Sequence, residues 1–205
     1  MPKIPRKQNL DIKYRPDMVF RKNLIEDIGK IYYFNDLLDL DADSDTFFVS
    51  DKTKRIGHQV FAIDDDSYLE NMPGWPELFY NFPNLLSLEI SGLYKKIPKS
   101  IYSLNSLKLM AFSNCYVDEL STEFFKLKKL EYLDLNGNYF ERWLDILYLC
   151  NSIRFLDLSY NNAKVDLVKI ADMPNLEFLS ISSNQTETSD INEFLVKRPD
   201  VFLLL

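Results

Sequence analysis

A leucine pattern recurs every 22–23 residues through the second half of the chain and constrains the fold more than any other feature. Copies begin at Leu85, Leu107, Leu130, Ile153 and Leu176, spaced 22, 23, 23 and 23 residues apart. In the third copy the apolar or ladder positions are Leu130, Leu133, Leu135, Asn138 and Phe140. Ile153, Leu156, Leu158, Asn161 and Ala163 align with them, as do Leu176, Leu179, Ile181, Asn184 and Thr186. Leu107, Met110, Phe112, Cys115 and Val117 form an earlier copy, and Leu85, Leu88, Ile90 and Leu93 the first. A fixed period of this length means one strand, one turn and one return segment per unit, each stacked on the next.

The residue types explain the stack. Positions four and six alternate around one exposed residue, the period of a strand with one buried face. Position nine follows the strand at a tight turn. An Asn there can hydrogen-bond backbone groups that would otherwise be buried and unpaired. Asn138, Asn161 and Asn184 predict such a ladder. Cys115 is small and a weak donor, so it can stand in the ladder; Leu93 cannot, and the ladder should break there. The return segments form further columns: Ile97, Leu120 and Trp143; Ile101, Phe124, Leu147 and Ile170; Leu104, Leu127, Cys150 and Met173. The steps Ile97-Pro98 and Met72-Pro73 favour an extended start to the return segment.

These copies resemble the leucine-rich-repeat superfamily, strongly over residues 85–205 and weakly over 57–84. The resemblance implies an α/β fold: a right-handed solenoid with a parallel concave sheet and an irregular or helical convex side. It also implies macromolecular recognition rather than catalysis.

The ends predict caps. Residues 1–56 read as an arm, a helix and a β-hairpin; residues 57–205 as about six repeats plus a terminal strand. Phe20 to Leu40 carries Leu24, Ile25, Ile28, Ile31 and Tyr32 mostly at helical spacing, for one or two helices packed on the N-terminal end of the stack. Thr46–Ser50 and the strand from Ile56 predict a hairpin covering the first repeat's open edge. A degenerate repeat follows, with Trp75, Leu78, Phe79 and Phe82 leading to Leu85. Asp190 and Glu193 resemble a helix-start capping pair. Arg198-Pro-Asp-Val201 mirrors Met173-Pro-Asn-Leu176, which predicts a last strand at 201–205 with Leu203 in the third position. Its apolar edge offers a weak homodimer contact; an ordinary chain end is the plainer reading.

Charge bounds the partners. The formal net charge is −7. Residues 1–35 hold eight basic and four acidic residues, whereas residues 36–89 hold three and twelve. Affinity for nucleic acid comes largely from basic residues on phosphates, so an acidic chain is a poor candidate. No run reaches 18 apolar residues, so no membrane span is expected. The basic arm at 1–15 lacks an amphipathic pattern for a membrane surface. Two cysteines, Cys115 in the ladder and Cys150 in a core column, and a start without an apolar leader fit a cytoplasmic protein with reduced thiols. The sequon Asn184-Gln-Thr186 falls in the ladder and reads as accidental.

No catalytic pattern stands out. The single histidine, His58, has no partners at metal or triad spacing, and Asp64-Asp65-Asp66 lacks the spaced ligands and glycine of a calcium loop. No cofactor or metal is expected. The candidate site is instead the concave face, where positions two, three, five, seven and eight project. Leu109, Tyr132, Phe155 and Phe178 make an aromatic-rich stripe; Asp134, Asp157 and Ser180 lie beside it, with Asn136 and Tyr160 at the rim. Aromatic anchors beside polar groups are what protein interfaces favour, and an acidic pair suits a Lys or Arg from a partner. The expected function is a non-catalytic protein-binding module or adaptor, the alternative an inhibitor or immunity-type protein that blocks a basic enzyme or toxin.

Overall fold

The computed structural model describes residues 16–28, 32–33, 55–59, 84–91, 96–140 and 145–205. Among these residues eight parallel strands form one sheet in strict sequence order: β1 (Tyr32–Tyr33), β2 (Arg55–Gln59), β3 (Ser87–Ser91), β4 (Leu109–Ser113), β5 (Tyr132–Asp134), β6 (Phe155–Asp157), β7 (Phe178–Ser180) and β8 (Phe202–Leu204). Parallel neighbours need a return crossover, which the second half of each repeat supplies. Those returns are single 3-10 turns at Lys99–Ser103, Thr122–Lys126 and Asp145–Leu149. Further along they become helical, as α2 (Leu167–Ile170) and α3 (Thr188–Lys197), while α1 (Pro16–Ile28) precedes the sheet.

The repeat register is the one the leucines predict. Leu88 stands beside Met110, Leu133 beside Leu156 and Leu156 beside Leu179. Positions one, four and six line one continuous core with the return columns. Ile101, Phe124, Leu147 and Ile170 are fully buried within it. Trp143 and Leu93 lie outside the described residues, so the predicted break in the ladder does too.

The ladder holds the turns. The Asn138 side-chain amide donates to the carbonyls of Phe112 at 2.7 Å and Leu135 at 2.9 Å, and its Oδ1 accepts from the Val117 N–H at 3.1 Å. Asn161 repeats this with Leu135, Leu158 and Phe140, and Asn184 with Leu158, Ile181 and Ala163. Each amide thus ties its own turn to the preceding repeat, and each group orphaned by truncation would cost about 1–3 kcal/mol. Cys115 occupies the same place, with Sγ 3.9 Å from the Ile90 carbonyl.

Position eight, just before the ladder residue, lies in the left-handed region in every described repeat: Asn114 at φ 53°, Gly137 at 68°, Tyr160 at 57° and Ser183 at 57°. This conformation turns the chain out of the strand, and it is strained for every residue but glycine.

Three end readings need correction. The helix is Pro16–Ile28, and Tyr32 lies in a strand rather than in a continuation of it. β1 pairs in parallel with β2, and β3 takes the other edge of β2. No edge of β2 therefore remains for a hairpin with Thr46–Ser50, a segment outside the described residues. The degenerate repeat around Trp75 and the Asp64–Asp66 cluster also lie outside them. α3 begins at Thr188, so Asp190 sits within its first turn, where a carboxylate favours the helix dipole.

The last strand departs from the sequence mirror by one residue. Phe202, not Leu203, pairs with Phe178, and Leu204 pairs with Ser180. A one-residue slip exchanges the faces of every side chain in a strand. Here Leu203 packs on the main core and Phe202 and Leu204 join the concave side, which places the aromatic ring on the aromatic stripe.

The concave face as candidate binding site

Alternation puts positions three and five on the side opposite the leucine core. Position three reads Ser87, Leu109, Tyr132, Phe155, Phe178 and Phe202 across adjacent strands. Ring centroids of Tyr132 and Phe155 are 6.3 Å apart, and those of Phe178 and Phe202 are 5.6 Å apart. Leu109, Ala111, Tyr132, Phe155 and Phe178 form a second apolar cluster, separate from the core.

That cluster is covered by the chain itself. Phe20 of α1 stacks on Phe155 at 4.7 Å and on Tyr132 at 6.3 Å, its ring plane nearly parallel to the latter's at 5°. Arg154 flanks the same rings, its guanidinium carbon 5.6 Å from the Phe20 centroid and 5.0 Å from that of Phe155. Glu131 and Glu177, at the equivalent position of the two neighbouring repeats, hold Arg154 by ion pairs of 2.8 and 2.7 Å. One residue along α1, Arg21 pairs with Glu89 on β3, and Asp17 on the same helical face is buried. The helix thus lies across the sheet from β6 towards β3 rather than on the end of the stack. The physical reason is that Phe20 and Arg21 find an aromatic stripe and a carboxylate there, side by side.

The predicted site residues divide by exposure. Leu109, Tyr132, Phe155, Phe178 and Ser180 are buried; Asp134, Asn136 and Asp157 are half-buried. Tyr160 alone is open, at 62% exposure. The two aspartates also shape the turns after their strands. Asp134 Oδ1 accepts the Asn136 N–H at 2.8 Å, and Asp157 Oδ1 accepts the Ser159 N–H at 2.9 Å and its hydroxyl at 2.6 Å. Ser159 and Ser180 share a further hydroxyl bond, which ties the turn after β6 to β7. Burial first, and the neighbouring Asp157 second, push the Asp134 carboxyl up to about 6. Burial likewise raises the Tyr132 hydroxyl, with Asp134 adding to it, so Tyr132 stays neutral.

Sequence reasoning placed the stripe but missed its cover. Phe20 and Arg21 carried no signal beyond an apolar–basic pair in a helical stretch, and Arg154 none beyond its place at position two. Among the described residues no group of His, Cys, Asp and Glu could hold a metal ion, and no helix is long and apolar enough to cross a membrane. His58 lies in β2 in register with Ile90.

No family model matches the chain. Over 77 residues it is 36% identical to the receptor-like protein EIX1 of Solanum lycopersicum, which is 37% of this chain and 8% of that protein. The chain therefore spans a small part of this relative's length. Among solved structures, a leucine-rich-repeat protein of Leptospira interrogans superposes with a TM-score of 0.55 at 26% identity, over 63% of this chain and 32% of that one. An internalin of Listeria monocytogenes gives a TM-score of 0.56 at 16% identity, over 73% and 40%, a likeness of fold alone.

Proposed function

We propose that this chain, a leucine-rich-repeat protein by its repeats and its likeness to a solved one, works as a non-catalytic protein-binding module that reads its partner with the concave face. The carrying observation is a contiguous aromatic stripe, Tyr132, Phe155, Phe178 and Phe202, edged by the carboxylates of Glu89, Asp134 and Asp157 and by the exposed Tyr160. Phe20 of α1 now stacks on Tyr132 and Phe155; a partner that reaches the stripe would find ring area at low entropy cost together with groups that select a cation. The receptor-like designation of the Solanum lycopersicum relative supports a recognition role. We place the protein in a reducing, cytoplasmic setting, because Cys115 and Cys150 are both buried free thiols and burial pushes the Cys150 thiol up to about 11.

The cleanest probe is Tyr160, because truncating the buried Tyr132 or Phe155 would change stability as well as contact. Tyr160→Ser with Asp157→Asn should weaken a co-purified partner at least about tenfold by calorimetry while the melting temperature holds within a few degrees. Unchanged affinity would remove the concave face from the reading. A second reading, inhibition of a basic enzyme or toxin, is favoured by the three face carboxylates alone. It requires an on-rate that falls steeply as salt rises from 50 to 500 mM, about tenfold or more.

A further inference from the structure

α1 lies on the concave face, and its contacts show which side chains that face can receive. Asp17, Phe20 and Arg21 lie three and four residues apart, on one side of α1. Phe20 is stacked on Tyr132 and Phe155 with Arg154 beside its ring, and Arg21 is paired with Glu89. The receiving face thus offers an aromatic platform two strands from a carboxylate. About 9.6 Å separates β3 from β5 at 4.8 Å per strand, and a helix crossing the strands can answer both sites with adjacent side chains only if the second is long and cationic. An arginine meets that condition.

α1 is not built like a core element. Its outward side carries Met18 and Val19, 44% and 47% exposed, so part of its apolar surface stays in water. Thirteen residues make a marginal helix in isolation, so its order depends on the contacts it makes with the sheet.

We propose that the concave face is a docking groove for a partner helix presenting an aromatic residue followed directly by an arginine, and that α1 fills the groove as an internal stand-in which such a helix displaces. This rests on the protein-binding reading above and adds to it the partner's chemistry and a built-in competitor. Tethering sets the strength of the competition. With an effective concentration of about 1 mM and a free-peptide Kd of about 50 μM, α1 would mask the groove about twentyfold.

The test uses the full chain and a fluorescein-labelled peptide of residues 14–30, read by anisotropy. The Phe20→Ala/Arg21→Ala protein should bind the peptide at least tenfold more tightly than the wild-type protein, whose groove is occupied. Adding Glu89→Arg to that variant should abolish binding, and a peptide carrying Arg21→Glu should restore it. Equal binding to both proteins, binding to neither, or a charge reversal without rescue would each overturn the proposal. Circular dichroism checks that the variants are folded; if the double variant is not, Arg21→Glu alone opens the groove and serves in its place. Partner binding lost on Tyr160→Ser while the peptide is ignored would defeat this inference and leave the binding module standing. Peptide capture with partner affinity untouched by Tyr160→Ser and Asp157→Asn would defeat the proposed face for that partner and leave the groove standing.

Discussion

Asp134 sets a measurable dependence on pH. Its folded carboxyl titrates near 6 against an ordinary 3.8, because burial and then Asp157 disfavour the charge. The folded protein therefore holds this proton more tightly than the unfolded chain does. The stability it contributes is complete below about 3.9 and is lost as pH rises through about 6. Asp134→Asn keeps an acceptor for the Asn136 N–H and removes the buried charge. It should raise the melting temperature at pH 7.5 by about 3–6 °C, with the gain vanishing below about pH 4. A pH-independent difference in thermal unfolding would contradict the assignment. The aspartate was legible in the sequence as a concave residue, but its double duty was not. Leucine spacing says which way a side chain points, not which backbone amide it will meet two residues on.

Each element repeats one device, the left-handed residue that ends the strand, and the four examples differ in how well they suit it. Gly137 suits it without strain, and a Cβ added there would lie 2.6 Å from Asn114 Oδ1 of the preceding turn. Gly137→Ala should therefore destabilise by about 1–2 kcal/mol in urea unfolding, whereas Tyr160→Gly at the equivalent place should cost nothing or stabilise slightly. A neutral Gly137→Ala would show that the turn can relax. The strands were readable because their leucine pattern repeats five times, and the ladder because its Asn recurs at Asn138, Asn161 and Asn184. The last strand was misread by one residue for the opposite reason, since it appears once and its register is chosen by where Phe202 finds rings. Arg198 illustrates the same limit. It sits where Met173 sits one repeat earlier, yet its guanidinium donates to the carbonyls of Met173 and Leu176, both at 2.7 Å, and so closes the return segment with polar contacts instead of apolar ones. The position of α1 had no repeat to announce it at all.

At the scale of the molecule, a recurring set of bonds joins each repeat to its neighbour: the ladder amides, Arg154 between Glu131 and Glu177, Lys169 to Asp145 and Lys197 to Asp172. A stack held by nearest-neighbour terms protects its middle and frays at its ends. Hydrogen exchange should accordingly be slowest in β4–β7 and fastest in β1, β8 and α1; uniform protection would mean that the array behaves as one cooperative block. The same geometry has a mechanical consequence. The hydrogen bonds between strands point along the axis of the stack, so a pull on the two ends loads them one row at a time instead of shearing many together. Force would peel the chain repeat by repeat, and each 23-residue unit, once free, would lengthen it by about 80 Å, a regular staircase written by the period of the leucines.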